Sequence, residues 1–381
     1  MKKLDKKLLA ENIENIAKYD FDNNKIFGSA YAVYQDNEPM YINCFGATGP
    51  DGKTPITDKT IFRLASMTKP ITAVAALIAA ERGLLDLNDK AVKYIPQLKG
   101  VRVLKADKDG NRIDMGEAKN DILIYHLLDH TSGLGSTPFE IKMADEHKQT
   151  LEKSIDFFIS RGLDFEPETE TFYSAIAAFE LVVAIIEKVT GEDYLEFITR
   201  EIFEPCEMVD TTFIPTEEQW SRLVTMHNRV DGKSVEKEMK PGTIMGDYPC
   251  EHYVGGGGLV STLSDYVNFA QMLCNKGEFN GKRILSEESV EKMRTPHVPE
   301  SIMYGRERWG LGVRIICTER YPVLDVGTFG WSGAYGSHFW VNPENRVIAV
   351  YMKNSVCDGG AGNESARNFE RAVYESYISD N

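Results

Sequence analysis

The sequence has no hydrophobic run long enough to cross a membrane. Its longest apolar-rich stretch, 71–80, is far shorter than the ~20 residues that a membrane-spanning helix needs. Residues 1–20 interleave charges with single apolar residues, so the apolar core of a secretory signal peptide is missing as well. We therefore expect a cytoplasmic protein that does not insert into a membrane.

Cysteines are few and are nowhere close together. A disulfide framework or a zinc knuckle would place several of them at short spacings. The scattered pattern instead predicts reduced thiols with structural roles. The six residues are Cys44, Cys206, Cys250, Cys274, Cys317 and Cys357.

Positive charge is also scarce. There are 43 lysines and arginines against 58 aspartates and glutamates, which gives a formal net charge of -15. A nucleic-acid partner requires a basic surface, and an anionic membrane attracts one, so this balance disfavours both partners. The acidic excess itself indicates little more than solubility.

Periodicity gives the chain a strand-rich beginning and end and a helical middle. Two β-prone runs, 29–35 and 40–46, flank a turn, and further short β-rich runs, including one at 321–330, occupy 310–354. Helical patterns dominate from about 121 to 275. The terminal segments, 5–19 and about 364–376, each have the pattern of a helix.

This order predicts an α+β fold, in which an antiparallel sheet is flanked by the terminal helices and carries an inserted, mostly helical domain. A length of 381 residues is comfortable for two lobes. We expect one lobe to combine 1–60 with 305–381 and the other to span 61–304. Small-molecule sites favour the cleft between such lobes.

Ser66 and Lys69 form a Ser-x-x-Lys motif at the start of a helix that is apolar on nearly every side, as buried helices are. Three residues apart, the two side chains share one face. A serine hydroxyl needs a base to become a nucleophile, and burial leaves a lysine amine unprotonated at neutral pH by disfavouring its charged form. The N–H of Ser66 can point at a developing oxyanion. Taken alone, however, so short a motif is better explained by an N-cap serine and a solvated lysine.

Four further sequence segments, in a fixed order along the chain, favour the catalytic interpretation of Ser66 and Lys69. LLDHTSGL occupies 127–134, YSAIAAFELVVAIIEKVTG begins at Tyr173, GGGGLVSTLSDYVNFAQML begins at Gly255, and FGWSGAYGSHFWVNPE begins at Phe329. From about residue 25 to 355 the chain resembles the serine β-lactamase and penicillin-binding-protein superfamily. It is most similar to the branch that holds class C β-lactamases, family VIII carboxylesterases, D-aminopeptidase-like enzymes and a polyketide acyltransferase.

The resemblance implies a catalytic group of Ser66, Lys69 and Tyr173. Tyr173 and Ala175 fall on the first and last positions of the family's Tyr-x-Asn motif. The phenol would relay a proton to the leaving group, or share the role of base as phenolate. The simpler alternative is an ordinary half-buried tyrosine at a helix start.

A third motif of the family, Lys/His-Thr/Ser-Gly, falls on Trp331, Ser332 and Gly333. The resemblance implies that this segment is a substrate-aligning strand. It also implies that the next residue, Ala334, supplies the second N–H that binds the oxyanion. The alternative is that the glycines around Trp331 mark only a bulge or a turn.

Two departures from the family pattern suggest the substrate. Ala175 replaces the asparagine that would bind an amide, and Trp331 replaces the cationic residue that would meet a carboxylate. Trp331 is similar to family VIII carboxylesterases. Both changes remove polar recognition, so we expect an esterase for small or medium neutral esters with little or no β-lactam hydrolysis.

Other functions stay open at this point. A β-lactamase or a D-amino-acid peptidase acting on a small amide would use the same chemistry. So would an acyltransferase, which differs only in the molecule that finally accepts the acyl group. A non-catalytic binding protein on the same fold is an alternative of another class. The sequence makes no prediction of the oligomeric state.

The expected chemistry needs neither a metal nor a cofactor. His126 and His130 have the i, i+4 spacing of a metal pair, but the zinc-protease glutamate is missing and the helix ends at His130. We interpret His130 as a residue at a helix C-terminus that interacts with the helix dipole. The glycine-rich stretches 46–54 and 255–258 lack the register of phosphate and dinucleotide loops.

Overall fold

The fold is given by a computed structural model. It describes residues 1–108, 111–135, 150–239, 252–303, 305–318, 323–357, 359–360 and 362–378. Cys250, one of the predicted thiols, lies outside the described residues. The other five cysteines are described and are free thiols.

A seven-stranded antiparallel sheet forms the frame of the molecule. The first hairpin of the chain pairs with its last strand, so the two ends of the sequence meet in the middle of the sheet. From one edge to the other the strands are β11 (Glu307–Trp309), β12 (Arg314–Ile316), β13 (Phe329–Ser332), β14 (His338–Asn342), β15 (Val347–Met352), β1 (Gly28–Gln35) and β2 (Glu38–Gly46).

Four two-stranded ladders complete the described strands. They are β3 (Ile61–Arg63) with β8 (Val260–Thr262), β4 (Arg102–Ala106) with β5 (Arg112–Glu117), β6 (Met226–Val230) with β7 (Lys233–Lys237), and β9 (Glu278–Phe279) with β10 (Lys282–Arg283). Most of these ladders lie in the middle of the chain, so that part is helical but carries small hairpins of its own.

Helices cover both faces of the large sheet. The described helices are α1 (Lys6–Asp22), α2 (Thr68–Glu81), α3 (Ile124–Leu128), α4 (Leu151–Ser160), α5 (Ala177–Thr190), α6 (Tyr194–Ile198), α7 (Glu217–Ser221), α8 (Leu263–Cys274), α9 (Glu287–Met293) and α10 (Glu364–Tyr374).

The terminal helices α1 and α10 pack against each other on one face of the sheet, and α8 packs on the other. Tyr266 of α8 meets Phe339 of β14 edge to face, whereas Phe369 of α10 meets Trp340, the next residue of the same strand. Because both faces are covered, β15 is buried along its whole length. The predicted α+β fold is therefore confirmed; the division into two lobes stays a prediction.

Two elements differ in detail from their predictions. Of the β-rich run predicted at 321–330, the structure describes 323–330, and there the strand begins at Phe329 because a turn with Gly327 at φ 84° precedes it. The helix predicted from Ser66 begins as a single 3₁₀ turn, Ala65–Met67, and continues as α2. Within the described ranges, no helix combines the length and the apolar character needed to cross a membrane.

Candidate active site

A tight turn presents Ser66 at the start of the buried helix α2. Ala65, the residue before it, has φ 47°, a left-handed conformation that is uncommon for a residue with a side chain and that clusters at functional sites. Ser66 itself is half-buried. Its backbone N–H comes before the first hydrogen bond of the turn, from Met67 N to Leu64 O. Among the described residues nothing accepts a hydrogen bond from that N–H.

Lys69 is fully buried one turn further along. Its amine nitrogen lies 3.3 Å from Ser66 Oγ and donates to two backbone carbonyls, Ala175 O at 2.5 Å and Gly256 O at 2.7 Å. Burial lowers the pKa of Lys69 well below its usual value, and the charge of Glu180 opposes that shift only in part. The environment thus favours the neutral amine.

The neutral form fits the contacts around the Lys69 nitrogen. An uncharged amine has two N–H groups and one lone pair. The carbonyls of Ala175 and Gly256 take the two N–H groups, which leaves the lone pair for the hydroxyl of Ser66. In this arrangement Ser66 donates its proton toward the group that would remove it.

Tyr173 reaches the same serine oxygen from the loop before α5. Its phenol donates to Ser66 Oγ over 2.7 Å, and the indole Nε1 of Trp331 donates to the phenol oxygen over 3.2 Å. Burial raises the pKa of Tyr173 to about 12, despite the hydrogen bonds with Ser66 and Trp331 that act in the opposite direction. A neutral phenol is therefore favoured over the phenolate that the family resemblance left open.

Aromatic rings form a wall beside these groups. Trp309 meets Trp331 edge to face with ring centroids 4.6 Å apart, and it stacks on Tyr173 at 5.9 Å. The sequence did not single out Trp309. Its Trp-Gly-Leu-Gly context was the available signal, because glycine within a strand often marks a close approach by a ligand or another backbone.

His130, predicted as a residue at a helix C-terminus, also belongs to this group of side chains. It is buried, its Nδ1 accepts the backbone N–H of Ser174 at 3.2 Å, and its ring lies 4.7 Å from that of Tyr173. Burial, and secondarily the charge of Lys69, lowers the pKa of His130 well below its usual value. An uncharged ring gains little from a helix dipole, so its contribution is to hold the loop that carries Tyr173.

The end of β13 lies against the turn before Ser66. A β-carbon on Gly333 would come within 2.3 Å of Leu64 O, so only glycine allows this approach. The next residue, Ala334, is exposed, and its N–H has no acceptor within the part of the chain that the structure describes. This placement agrees with an oxyanion role for Ala334, which stays a prediction.

Two predicted residues contribute differently from what their motifs implied. The hydroxyl of Ser332 lies on the opposite face of β13 from Trp331 and is 2.6 Å from His338 Nδ1, so its side chain does not line the site. Ala175 contributes its backbone carbonyl, which binds Lys69. Across the described ranges, no three histidine, cysteine or acidic side chains are grouped to hold a metal ion.

Residues 9–370 match the family model described as Beta-lactamase, and the chain therefore belongs to the β-lactamase family. It is 30% identical over 354 residues to Protein Rv1367c of Mycobacterium tuberculosis, with 87% of this chain and 86% of that protein covered. It is 22% identical over 391 residues to Esterase EstB of Burkholderia gladioli, with 94% of each covered.

Among solved structures, EstCE1, a hydrolase with promiscuous acyltransferase activity, aligns with a TM-score of 0.82 at 24% identity. The alignment covers 97% of this chain and 99% of that one. The predicted resemblance to the serine β-lactamase superfamily and to its esterase branch is confirmed. The chain has the fold of a family of serine hydrolases and acyltransferases.

Proposed function

We propose that this chain is a carboxylesterase that hydrolyses small or medium neutral esters through an acyl-enzyme on Ser66. The observation that supports it is one continuous series of hydrogen-bonding groups. The indole of Trp331, the phenol of Tyr173, the hydroxyl of Ser66 and the amine of the buried Lys69 are each within 3.3 Å of the next.

Acylation would begin with the transfer of the Ser66 proton to Lys69. The amine is free to accept this proton because burial favours its neutral form before the reaction. The serine oxygen then attacks the ester carbonyl, and the N–H groups of Ser66 and Ala334 would hold the oxyanion. The proton stays within the site, on an ammonium bound to two carbonyls.

Collapse of the tetrahedral intermediate would expel the alcohol. Tyr173 is protonated and hydrogen-bonded to the serine oxygen, so its phenol is placed to give a proton to the departing alkoxide and to recover one from Lys69. A water molecule then hydrolyses the acyl-enzyme by the reverse sequence of proton transfers. The alcohol and the acid are the products, and Ser66 regains its proton.

The preference for neutral esters follows from the surroundings of Trp331. This residue offers an indole N–H that is already given to Tyr173, and an aromatic face that packs on Trp309. Neither group pairs with a carboxylate, which β-lactam and peptidoglycan substrates carry. An apolar wall discriminates weakly between acyl groups of similar size.

The test compares p-nitrophenyl acetate and butyrate with nitrocefin in the wild type and in Ser66→Ala. We expect ester turnover that Ser66→Ala abolishes, together with covalent labelling of Ser66 by a fluorophosphonate. Ser160→Ala, an exposed serine at the end of α4, is the matched control. Ester turnover that survives in Ser66→Ala would disprove the proposal, and nitrocefin turnover that rivals ester turnover would disprove the substrate class.

A further inference from the structure

A buried pair of ionisable side chains lies behind the candidate base. Glu180, in the first turn of α5, is fully buried, and its Oε2 is 2.5 Å from Nε2 of His252. The His252 side chain is only 8% exposed. These residues are 72 positions apart in the sequence. Glu180 falls within the sequence segment that begins at Tyr173, but neither residue was singled out as a site residue.

The pair connects the two segments that bind Lys69. Ala175, which precedes α5, and Gly256, in the glycine-rich loop 255–258 that follows His252, supply the two carbonyls around the amine. The loop is closely packed on α5, because a β-carbon on Gly255 would lie 2.9 Å from Phe179 O. The contact between Glu180 and His252 therefore fastens together the two backbones that hold the amine.

The Glu180 carboxylate also acts on Lys69 through its charge. Its Oε1 is buried and, among the described residues, has no hydrogen-bond partner. A buried negative charge favours a nearby ammonium, and Glu180 opposes the lowering of the Lys69 pKa by burial. Among the described residues, Glu180 is the carboxylate whose charge acts on this amine.

Three other described titratable side chains around this region carry no charge that would oppose that of Glu180. Burial lowers the pKa of His130 and raises the pKa of Tyr173 and Tyr194, so all three are neutral near pH 7. Glu187, two turns along α5, is half-buried, and burial raises its pKa as well. Glu180 is thus the group through which charge on α5 reaches Lys69.

We propose that Glu180 and His252 form a positioning pair for Lys69, in which His252 fixes the glycine-rich loop to α5 and the carboxylate of Glu180 makes the amine a better proton acceptor. Stability alone does not account for such a pair, because buried ionisable side chains that contact each other are often no more stabilising than apolar side chains of the same size. The consequence for catalysis rests on the proposed function, whereas the effect on the protonation of Lys69 does not.

The direct test is an NMR titration of protein that carries ¹³C-labelled lysine. The Cε signal of Lys69 is identified by its loss in Lys69→Met. In Glu180→Gln, which keeps the shape and removes the charge, we expect the titration midpoint of Lys69 to fall by about one pH unit. Glu187→Gln, the same change on the same helix, should leave the midpoint in place. A Lys69 signal that behaves identically in wild type and Glu180→Gln over the folded pH range would overturn the proposal.

Kinetics tests the contribution of His252. We expect His252→Ala to lower kcat for p-nitrophenyl butyrate about tenfold, since a small displacement of a catalytic group is costly. His252→Gln, whose amide can still donate to Glu180, should restore most of the rate. Wild-type kcat in His252→Ala, or no recovery in His252→Gln, would argue against the fastening role. Ester turnover independent of Ser66 would instead disprove the proposed function, and the NMR midpoint would still decide the role of Glu180.

Discussion

The phenol oxygen of Tyr173 lies 2.7 Å from Ser66 Oγ and donates its hydrogen bond to it. The amine of Lys69 lies 3.3 Å from the same serine oxygen. Because the burial of Tyr173 favours the phenol and that of Lys69 favours the neutral amine, the two groups have opposite tasks. In the proposed mechanism the amine is the base that activates Ser66, and the phenol is the acid.

Replacement of Tyr173 by phenylalanine tests this division of tasks. The ring remains packed on Trp309 and His130, but the proton donor is gone. We expect kcat for p-nitrophenyl butyrate to fall by about 10²- to 10⁴-fold, which is the usual effect of losing a general acid or base. Tyr34→Phe, a half-buried tyrosine on β1, is the control and should retain wild-type turnover. A Tyr173→Phe enzyme with undiminished kcat would exclude the phenol as a proton donor.

The lowered pKa of Lys69 predicts a pH-dependent stability. The unfolded chain keeps the usual lysine pKa of 10.5, whereas the folded chain loses its proton at a lower pH. Between these two pKa values the unfolded state binds more protons, so the free energy of unfolding rises with pH. The contribution reaches about 1.4 kcal/mol per pH unit for one group.

Lys69→Met removes that contribution while keeping most of the volume of the side chain. We expect the stability of the wild type, measured by urea unfolding and relative to Lys69→Met, to increase as the pH is raised toward the ordinary lysine pKa. Lys99 is exposed to solvent, so the stability of the wild type relative to Lys99→Met should not change with pH in this way. A constant difference between wild type and Lys69→Met would mean that the amine is not desolvated.

Features that depend on the spacing of residues close together in the sequence were predicted correctly. Ser66 and Lys69 are three residues apart on a helix, so one turn places both side chains together. The hairpin of β1 and β2 followed from alternating β-prone residues and from Asp36 and Asn37, which adopt the left-handed conformation of a tight turn. The terminal helices followed from their apolar periodicity.

Contacts between distant segments could not be predicted in this way. Tyr173 is 107 residues from Ser66 and was placed beside it only through the family resemblance. Ser332 was assigned to the site with Trp331, although neighbours on a strand face opposite sides, so this rule alone would have placed its hydroxyl elsewhere. Trp309 was missed, and His130 was not assigned to the site, because their importance lies in the rings that they contact, which no pattern within either segment encodes.

The close approach of Gly333 to Leu64 O predicts that the protein tolerates no side chain at position 333. In Gly333→Ala the new β-carbon would press on Leu64 O, in the backbone that leads into Ser66, and it would displace the N–H of Ala334. Overpacking of this kind costs about 1–3 kcal/mol of stability, and loss of an oxyanion donor lowers kcat by about 10²-fold.

The measurement for Gly333→Ala is kcat for p-nitrophenyl acetate together with thermal unfolding. Gly49→Ala is the control, since its β-carbon would meet only the side chain of Thr225, at 3.3 Å. If Gly333→Ala were as active as Gly49→Ala, the end of β13 would have no part in binding the oxyanion.

On the face of β13 opposite the candidate site, ionisable side chains connect the sheet to α10. Glu370 of α10 is buried and accepts from Arg314 at 2.9 Å, and it lies 3.1 Å from Nε2 of His338, whose Nδ1 contacts Ser332. Burial by itself would raise the pKa of Glu370, but the hydrogen bond from His338 and the charge of Arg314 outweigh it and hold the pKa well below its usual value.

Because the folded pKa of Glu370 is lowered, its contribution to stability is complete above the usual glutamate pKa and is lost as the pH falls below it. Glu370→Gln should therefore cost about 3 kcal/mol near neutral pH, because it removes the fully buried one of the two carboxylates that contact Arg314. The cost should shrink in acid, as the wild-type carboxylate is itself protonated. Urea unfolding at neutral and acidic pH measures both values, and Glu375→Gln, at an exposed glutamate directly after α10, is the control. A cost that is equal at both pH values would contradict the lowered pKa and leave the anchoring of β13 to packing alone.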